Sequence, residues 1–128
     1  MLADGDDTND PIVDAARAIV DGHIILSRSL AEQGVYPAID VGRSLSRVMA
    51  DIAARDHAAA AAALRRLWST YEENRDLILM GAYAPGGDPL IDEAILRRPE
   101  LLDFLRQAPG ERASFDASVA ALTGMMAA

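Results

Sequence analysis

Three short strings carry the side chains best suited to chemistry in this 128-residue chain. Ser44-Leu45-Ser46-Arg47 places an arginine in a hydroxyl-rich loop just before a predicted helix. A guanidinium stays charged and donates hydrogen bonds in a planar fork, which suits anionic oxygens. Tyr36-Pro37 sets an aromatic ring beside a rigid residue, and Tyr83 lies in a loop rich in proline and glycine. Each string therefore holds one candidate binding or catalytic side chain.

Each string taken alone also has an ordinary structural explanation. Surface arginines are mostly solvated, so Arg47 needs no function. A tyrosine next to a proline commonly packs, as Tyr36 could, and Tyr83 could be the buried aromatic of a loop that ends a helix. The strings gain meaning only from their order along the chain.

Composition narrows the class of protein. Half of the residues are apolar and a quarter are charged, which is the balance of one folded domain with a core rather than of a disordered tail. Acidic residues outnumber basic ones by 20 to 12, giving a net charge of −8. A broad electrostatic grip on nucleic acid or on an anionic membrane face is therefore not expected.

Three residue types are absent or scarce, and this excludes several chemistries. The chain has no cysteine, so it has neither disulfides, nor a thiolate zinc site, nor a thiol nucleophile. All 12 basic residues are arginine, so no phosphate-binding loop of the G-x-x-x-x-G-K-[ST] type and no lysine Schiff base is present. His23 and His57 lack neighbours in sequence that would make a metal site, and we expect no metal.

The N-terminus and the hydropathy pattern bear on localisation. Residues 1–7 are acidic, whereas a secretory signal begins basic and continues apolar. No apolar run approaches the roughly 20 residues needed to span a bilayer. We therefore expect a cytoplasmic protein without a transmembrane segment.

The first fifty residues mix short helical and strand-like signals. Asp10 followed by proline predicts a helix cap, with the helix running from Pro11 to about Val20. The apolar run His23–Leu26 predicts a short buried strand. Ser27 is predicted to cap a second short helix anchored by Leu30.

From about Asp51 onward the pattern is helical. A long helix is predicted from Asp56 to about Gly81, with Leu64, Leu67, Trp68, Tyr71 and Ile78 on its buried stripe. Asp88 with its following proline predicts the start of another helix, Pro99 the start of a third, and Ser114 the cap of the last. Pro109-Gly110 predicts a break before that last helix.

Taken in order, the strings resemble a known family. The segments concerned are Asp6–Ile12, Asp21–Arg28, Tyr36–Asp40, Ser44–Arg47, Asn74–Tyr83 and Gly87–Ile95. The first four resemble the end of the nucleotide-binding domain in rotary ATP synthase α/β subunits. The last two narrow the resemblance to the ATPases of flagellar type III protein export and their relatives in virulence secretion.

The resemblance implies a role for each candidate residue. Arg47 matches the family's arginine finger, which reaches across a subunit boundary to the γ-phosphate held by the neighbour; such fingers contribute roughly 10³ to 10⁵ in rate. Tyr36 falls where the family places an aromatic against adenine, with Pro37 holding it. Tyr83 matches a second aromatic, which would close the same pocket from the helical side. Two aromatic faces can sandwich a base without reading its edges.

The resemblance also implies the architecture. Residues 1–50 would be the C-terminal remnant of a RecA-like ATPase domain, and residues 51–128 an all-helical C-terminal domain, which makes the fold mainly α with a small α/β part. The family's phosphate-binding loop, magnesium-organising Asp and catalytic Glu would lie upstream. The intact enzyme would use ATP with magnesium, whereas this chain alone is expected neither to bind ATP tightly nor to hydrolyse it.

The resemblance finally implies partners. These are the other subunits of a homo-hexamer, export chaperones and substrates, and stalk and regulator proteins, all at the cytoplasmic side of a membrane-embedded export gate. Two alternatives stay open: the ATPase of a virulence injectisome, and a non-enzymatic helical module that binds export chaperones or ATPase subunits.

Overall fold

The computed structural model describes Gly5 and residues 9–127; the first residues of the Asp6–Ile12 segment lie outside that part. The described part is mainly helical with one small sheet, which confirms the predicted mainly α class. Its elements in chain order are α1 (Pro11–Ile19), β1 (Gly22–His23), α2 (Arg28–Glu32), β2 (Leu45–Ser46), α3 (Met49–Ile52), α4 (Arg55–Leu79), α5 (Pro89–Leu105) and α6 (Phe115–Ala127).

Four helices begin where the sequence predicts a capping residue. Asp10, Ser27, Asp88 and Ser114 each accept a backbone N–H from the first turn of α1, α2, α5 and α6. Proline follows directly after Asp10 and Asp88, at the position where a helix needs no N–H donor. Each such cap is worth about 1 kcal/mol, so these boundaries are fixed locally.

The sheet is smaller than predicted, with two residues in each of its two strands. β1 pairs antiparallel with β2, with Gly22 opposite Ser46. The predicted strand continued to Leu26, but there the chain makes only an isolated bridge to Ile39. Gly22 is required by close approach, because a Cβ at this position would lie 2.5 Å from the Leu45 carbonyl oxygen.

Helices α4, α5 and α6 enclose the main core. Its buried residues are Ala60, Leu64, Leu67, Ala94, Leu101 and Leu122. The predicted stripe on α4 is thus confirmed, since Leu64 and Leu67 are buried and Tyr71 packs against the same cluster. Helix α4 packs against both α5 and α6, so it is the central element of the helical part.

A second cluster joins the first forty residues to the helices. Trp68 of α4 is 1% exposed and packs with Leu30 and Val35. Leu102 and Leu105, near the end of α5, lie against the same cluster. The β1–β2 region is therefore seated on α4 and α5 through Trp68.

A buried arginine crosses the α4–α5 contact. The guanidinium carbon of Arg98 lies 3.9 Å from the centroid of the Trp68 ring and 4.3 Å from that of Tyr71. Its Nη2 donates to Glu72 at 2.6 Å, while Nη1 is buried without a hydrogen-bond partner among the described residues. Burial lowers the pKa of Arg98, and the Glu72 carboxylate opposes that shift. Nothing in the local sequence pattern marks this residue as buried.

Pro99 does not begin a helix, contrary to prediction. Helix α5 runs through it without interruption from Pro89 to Leu105. A proline in a helix interior removes one hydrogen bond and strains the preceding turn. Here Ala94 before it and Leu101 after it are both 0% exposed, so burial of one continuous face outweighs that local cost.

Among the described residues, none of the helices is both long enough and apolar enough to cross a membrane.

Candidate functional site

The extended segment 21–27 positions the candidate residues. The carbonyl of Asp21, at its start, accepts the backbone N–H of Arg47 at 2.8 Å. The backbone N–H of Ser27, at its end, donates to Ala38 at 2.8 Å, next to the Tyr36-Pro37 turn. Extended chain rises about 3.3 Å per residue, so these two ends lie roughly 20 Å apart. Arg47 and Tyr36 are thus placed at opposite ends of one segment.

Arg47 follows β2 directly and its side chain is exposed. Its Nη2 donates to the carbonyl oxygen of Arg17 at 3.1 Å, in the last turn of α1, where helix carbonyls lack partners within the helix. Among the described residues no carboxylate forms a salt bridge with Arg47. Within residues 9–127 the cation is therefore held by one neutral acceptor, which leaves most of its donors available to an anion.

The loop before β2 is a tight, internally bonded turn. One carboxylate oxygen of Asp40 accepts the backbone N–H groups of Gly42 at 3.0 Å and Arg43 at 3.2 Å. The Ser44 hydroxyl donates to the Asp40 carbonyl at 2.6 Å and accepts the backbone N–H of Ile25 at 3.0 Å. Side chains of the kinds that favour turns thus fix the approach to Arg47.

Tyr36 presents its ring to solvent beside the C-terminal end of α5. Its side chain is 58% exposed, whereas the preceding Val35 is 2% exposed and anchors the turn. The Tyr36 carbonyl accepts the backbone N–H of Gln107 at 2.9 Å, two residues beyond α5. Pro37 is exposed, and its carbonyl accepts the N–H of Ile39 at 2.9 Å. An exposed ring on a buried anchor suits stacking on a planar ligand.

Tyr83 is bound into its own loop at the other end of α5. Its hydroxyl donates to Asp92 at 2.8 Å and accepts the backbone N–H of Asp88 at 3.0 Å. Asp92 also accepts the N–H of Gly86 at 3.0 Å. Desolvation raises the pKa of Tyr83, and the Asp92 carboxylate raises it further. These bonds close the loop between α4 and α5.

The two tyrosines do not form one pocket, contrary to the expectation that they enclose the same adenine. Tyr36 is bonded beyond the last residue of α5, whereas Tyr83 is bonded to its first turn. Helix α5 has 17 residues, and at 1.5 Å per residue it is about 25 Å long. No single base can contact rings so far apart.

The structure adds a neighbour to Tyr36 that the sequence did not indicate. After α5, the side chain of Gln107 donates to the Glu111 carbonyl at 2.8 Å, and the Glu111 carboxylate accepts the N–H of Ala108 at 2.9 Å. Pro109-Gly110 correctly predicts this turn, but only the Gln107 contact places it beside Tyr36. A turn signal carries no information about what the turn packs against.

Replacing Tyr83 by phenylalanine should loosen the loop between α4 and α5 without affecting the core. The change removes the bonds to Asp92 and Asp88, so we expect a loss of about 1 kcal/mol and faster hydrogen exchange at Gly86. The matched control is Tyr71→Phe, since the Tyr71 hydroxyl makes no hydrogen bond within residues 9–127. Urea denaturation and amide exchange provide the measurements. Equal effects of both changes would contradict the role given to the Tyr83 hydroxyl.

Two protein families match the chain. The family described as T3SS EscN ATPase C-terminal domain matches residues 53–124. The nucleotide-binding domain of the ATP synthase alpha/beta family matches residues 1–46. Together the two matches account for nearly all of the chain and confirm the resemblance read from the ordered strings.

Relatives support the same family. The chain is 50% identical over 127 residues to the flagellum-specific ATP synthase of Pseudomonas aeruginosa, covering 99% of this chain and 28% of that protein. It is 46% identical over 119 residues to the type 3 secretion system ATPase of Sinorhizobium fredii, covering 93% of this chain and 26% of that protein. The chain thus spans just over a quarter of the length of the curated relatives it matches.

Solved structures agree with this family. The assembled ATPase EscN from the type III secretion system of enteropathogenic E. coli superposes with a TM-score of 0.90 at 40% identity, covering 98% of this chain and 31% of that one. EscN in complex with its central stalk EscO gives a TM-score of 0.83 at 40% identity, with 91% of this chain and 29% of that one covered. The chain belongs to the family of type III secretion ATPases, whose C-terminal domain it carries over residues 53–124.

Proposed function

We propose that this chain is the C-terminal part of a flagellar type III protein export ATPase, which couples ATP hydrolysis to protein export during flagellum assembly. The observation that carries the proposal is the exposed guanidinium of Arg47, positioned by β2 and held, in the part of the chain that the structure describes, by one backbone carbonyl. A cation so placed can stabilise the charge that develops on transferring phosphoryl oxygens. The higher identity to the flagellar relative, 50% against 46% for the secretion ATPase, favours the flagellar system over an injectisome.

We assign residues 1–50 to the C-terminal edge of a RecA-like nucleotide-binding domain and residues 51–128 to a helical C-terminal domain. The two family matches, which end at residue 46 and begin at residue 53, support this division. Several large apolar side chains are also exposed on the first part. The most exposed of them are Ile12, Ile19, Ile24 and Leu26, each at least 72% exposed. Such a surface suits burial against further protein, here the remainder of the nucleotide-binding domain.

Arg47 and Tyr36 would serve two different nucleotides. Because they lie at opposite ends of segment 21–27, Tyr36 would stack on adenine in its own subunit while Arg47 reaches the γ-phosphate held by the neighbour. Pro37 would restrict the turn that carries Tyr36. We assign Tyr83 to the structure of its loop and not to the adenine site, because its hydroxyl is bonded to Asp92 and Asp88.

ATP with magnesium would be the substrate of the intact enzyme. Within the described residues, no group of three His, Asp or Glu side chains is placed to hold a metal ion. We assign no magnesium ligand to this chain and expect the chain by itself to bind ATP only weakly, because the family's phosphate-binding loop and magnesium-organising Asp would lie upstream. Its contribution would be the arginine finger and one face of the adenine site.

The partners we propose follow from the family. The relative EscN has been determined as an assembled ATPase and with its central stalk EscO. By analogy, this chain would function in a homo-hexamer that contacts stalk and regulator proteins and receives export chaperones and substrates. We place it in the cytoplasm, peripheral to the membrane-embedded export gate.

The function can be tested in an intact subunit in which this chain replaces the corresponding region of the Pseudomonas aeruginosa relative; we call it the hybrid subunit. Tyr36→Ala in the hybrid subunit should raise KM for ATP about tenfold with little change in kcat, since base stacking contributes about 1–3 kcal/mol. Tyr36→Phe is the control, because it keeps the aromatic face. An unchanged KM in the alanine variant, or a hybrid subunit that hydrolyses no ATP, would contradict the proposed function.

A further inference from the structure

Arg65 of α4 is hydrogen-bonded to the loop that precedes Arg47. Its Nη2 donates to the Ser44 carbonyl at 3.0 Å and lies 3.4 Å from the Gly42 carbonyl. Both contacts are partly buried. Hydrogen bonds from a charged donor are about twice as strong as neutral ones. Arg65 therefore links the central helix to a backbone position three residues before Arg47.

The loop also touches α4 directly, at Gly42. A Cβ on Gly42 would lie 3.4 Å from the Ser69 hydroxyl and 3.5 Å from Trp68 Cδ1. From the other side, His23 of β1 contacts the Arg43 carbonyl through Nε2 at 3.1 Å. The loop is thus held between β1 and α4.

Apolar packing does not fill the space next to this contact. A mainly apolar cavity of about 300 Å³ is lined by Arg65 and Ser44 together with Leu45, Met49 and Phe104. With an open apolar groove beside β2 in place of packed side chains, the position of the loop depends on polar bonds more than on close packing. Arg65 supplies such bonds from α4.

We propose that Arg65 is a positioning residue for Arg47, and that through it α4 sets the placement of the arginine finger. The inference rests on the proposed function, since it assumes that Arg47 reaches a phosphate. A displacement of about 1 Å at a catalytic group can cost about 10²-fold in rate. A shift of α4 relative to the β1–β2 region would therefore be transmitted to Arg47 through two carbonyls.

The structural part of this proposal can be tested on the 128-residue chain itself. Arg65→Met keeps an unbranched side chain but removes the donors. We expect about tenfold faster hydrogen exchange at the backbone amides of Ser44 and Arg47, whose acceptors are Asp40 and Asp21. Amides in the middle of α4 should be unaffected. Arg66→Met is the control, because the exposed side chain of Arg66 makes no hydrogen bond within residues 9–127. Unchanged exchange at both amides in Arg65→Met would overturn the proposal.

The catalytic part is tested in the hybrid subunit. Arg65→Met should lower kcat by about 10- to 100-fold with KM for ATP unchanged, because the Tyr36 turn lies at the other end of segment 21–27. Arg65→Lys, which retains a charged donor, should recover most of kcat. Combined with Arg47→Ala, Arg65→Met should cause no further loss, since both act on one interaction.

Failure of this inference can be told apart from failure of the proposed function. If Arg47→Ala abolishes turnover while Arg65→Met leaves kcat unchanged, the positioning role of Arg65 is wrong and the finger assignment stands. If Arg47→Ala has no effect, the proposed function itself is wrong. If Arg65→Met lowers both the free energy of unfolding and kcat, and Arg65→Lys restores neither, the role of Arg65 is purely structural.

Discussion

Arg47→Ala in the hybrid subunit is expected to lower kcat for ATP hydrolysis about 10³-fold or more, with KM changed little. Arg47 would contribute mainly when charge develops on the γ-phosphate oxygens, so its loss affects the chemical step more than nucleotide binding. Its side chain is exposed and makes one hydrogen bond to the Arg17 carbonyl. The midpoint of urea denaturation should therefore stay almost unchanged.

The matched control for Arg47 is another arginine of the same chain. Arg66→Ala removes an equal charge from an exposed position on α4 and should leave kcat within twofold of the reference. Arg47→Lys should still lose most activity, because an ammonium does not reproduce the planar fork of a guanidinium. Steady-state rates across a range of ATP concentrations separate kcat from KM. A fall of less than tenfold in Arg47→Ala would contradict the finger assignment.

Mixing experiments address whether Arg47 acts on the neighbour. Hybrid subunits carrying Arg47→Ala would be mixed with subunits whose phosphate-binding loop is inactivated upstream of this chain. Each variant by itself is expected to hydrolyse ATP very slowly or not at all. At some boundaries, a subunit with an intact phosphate-binding loop will lie next to a subunit with an intact Arg47. Those boundaries should regain activity. Mixtures that assemble but remain inactive would show that Arg47 does not act across the subunit boundary.

Trp68→Ala should be the most destabilising single change in the chain, lowering the free energy of unfolding by about 3–5 kcal/mol. Trp68 is 1% exposed and joins Leu30 and Val35 to the helices. Its removal leaves a cavity and takes one aromatic face from the buried guanidinium of Arg98. Domains of this size are stable by only about 5–15 kcal/mol. A loss of this size would therefore remove a large part of the stability of the chain.

Trp68→Phe separates the effect of the cavity from the effect of losing the aromatic face beneath Arg98. Phenylalanine keeps a ring beneath Arg98 and fills part of the volume, so we expect a loss of about 1–2 kcal/mol. Urea denaturation of the 128-residue chain gives both values, provided that the m-value is unchanged. A loss below 1 kcal/mol in Trp68→Ala would mean that the Leu30 and Val35 contacts do not stabilise the fold as described.

The sequence was a good guide to local structure. The caps at Asp10, Ser27 and Asp88 act through the first turn of their own helices, and the stripe on α4 follows from helical period alone. It is a poor guide at Pro99, because the local cost of proline is outweighed by the burial of Ala94 and Leu101, which the local sequence does not reveal. Local rules fail where a long buried face overrides them.

The candidate site also shows what the sequence indicates and what only the tertiary structure decides. The ordered strings, through their resemblance to the family, indicated Arg47, Tyr36, Pro37 and Tyr83, and the family matches confirmed that resemblance. Only the tertiary structure separated Tyr36 from Tyr83, because the distance between them is set by the length of α5 and by the Gln107 contact.

By itself, then, the sequence determined where four helices begin and which stripe of α4 is buried, and it indicated candidate residues for a nucleotide site. The tertiary structure decided what those residues touch. The bonds of Arg65 to the loop before Arg47, and the burial of Arg98 between Trp68 and Tyr71, join residues more than 20 positions apart. Such contacts depend on how α4 meets its neighbours, which helical period and turn chemistry do not encode.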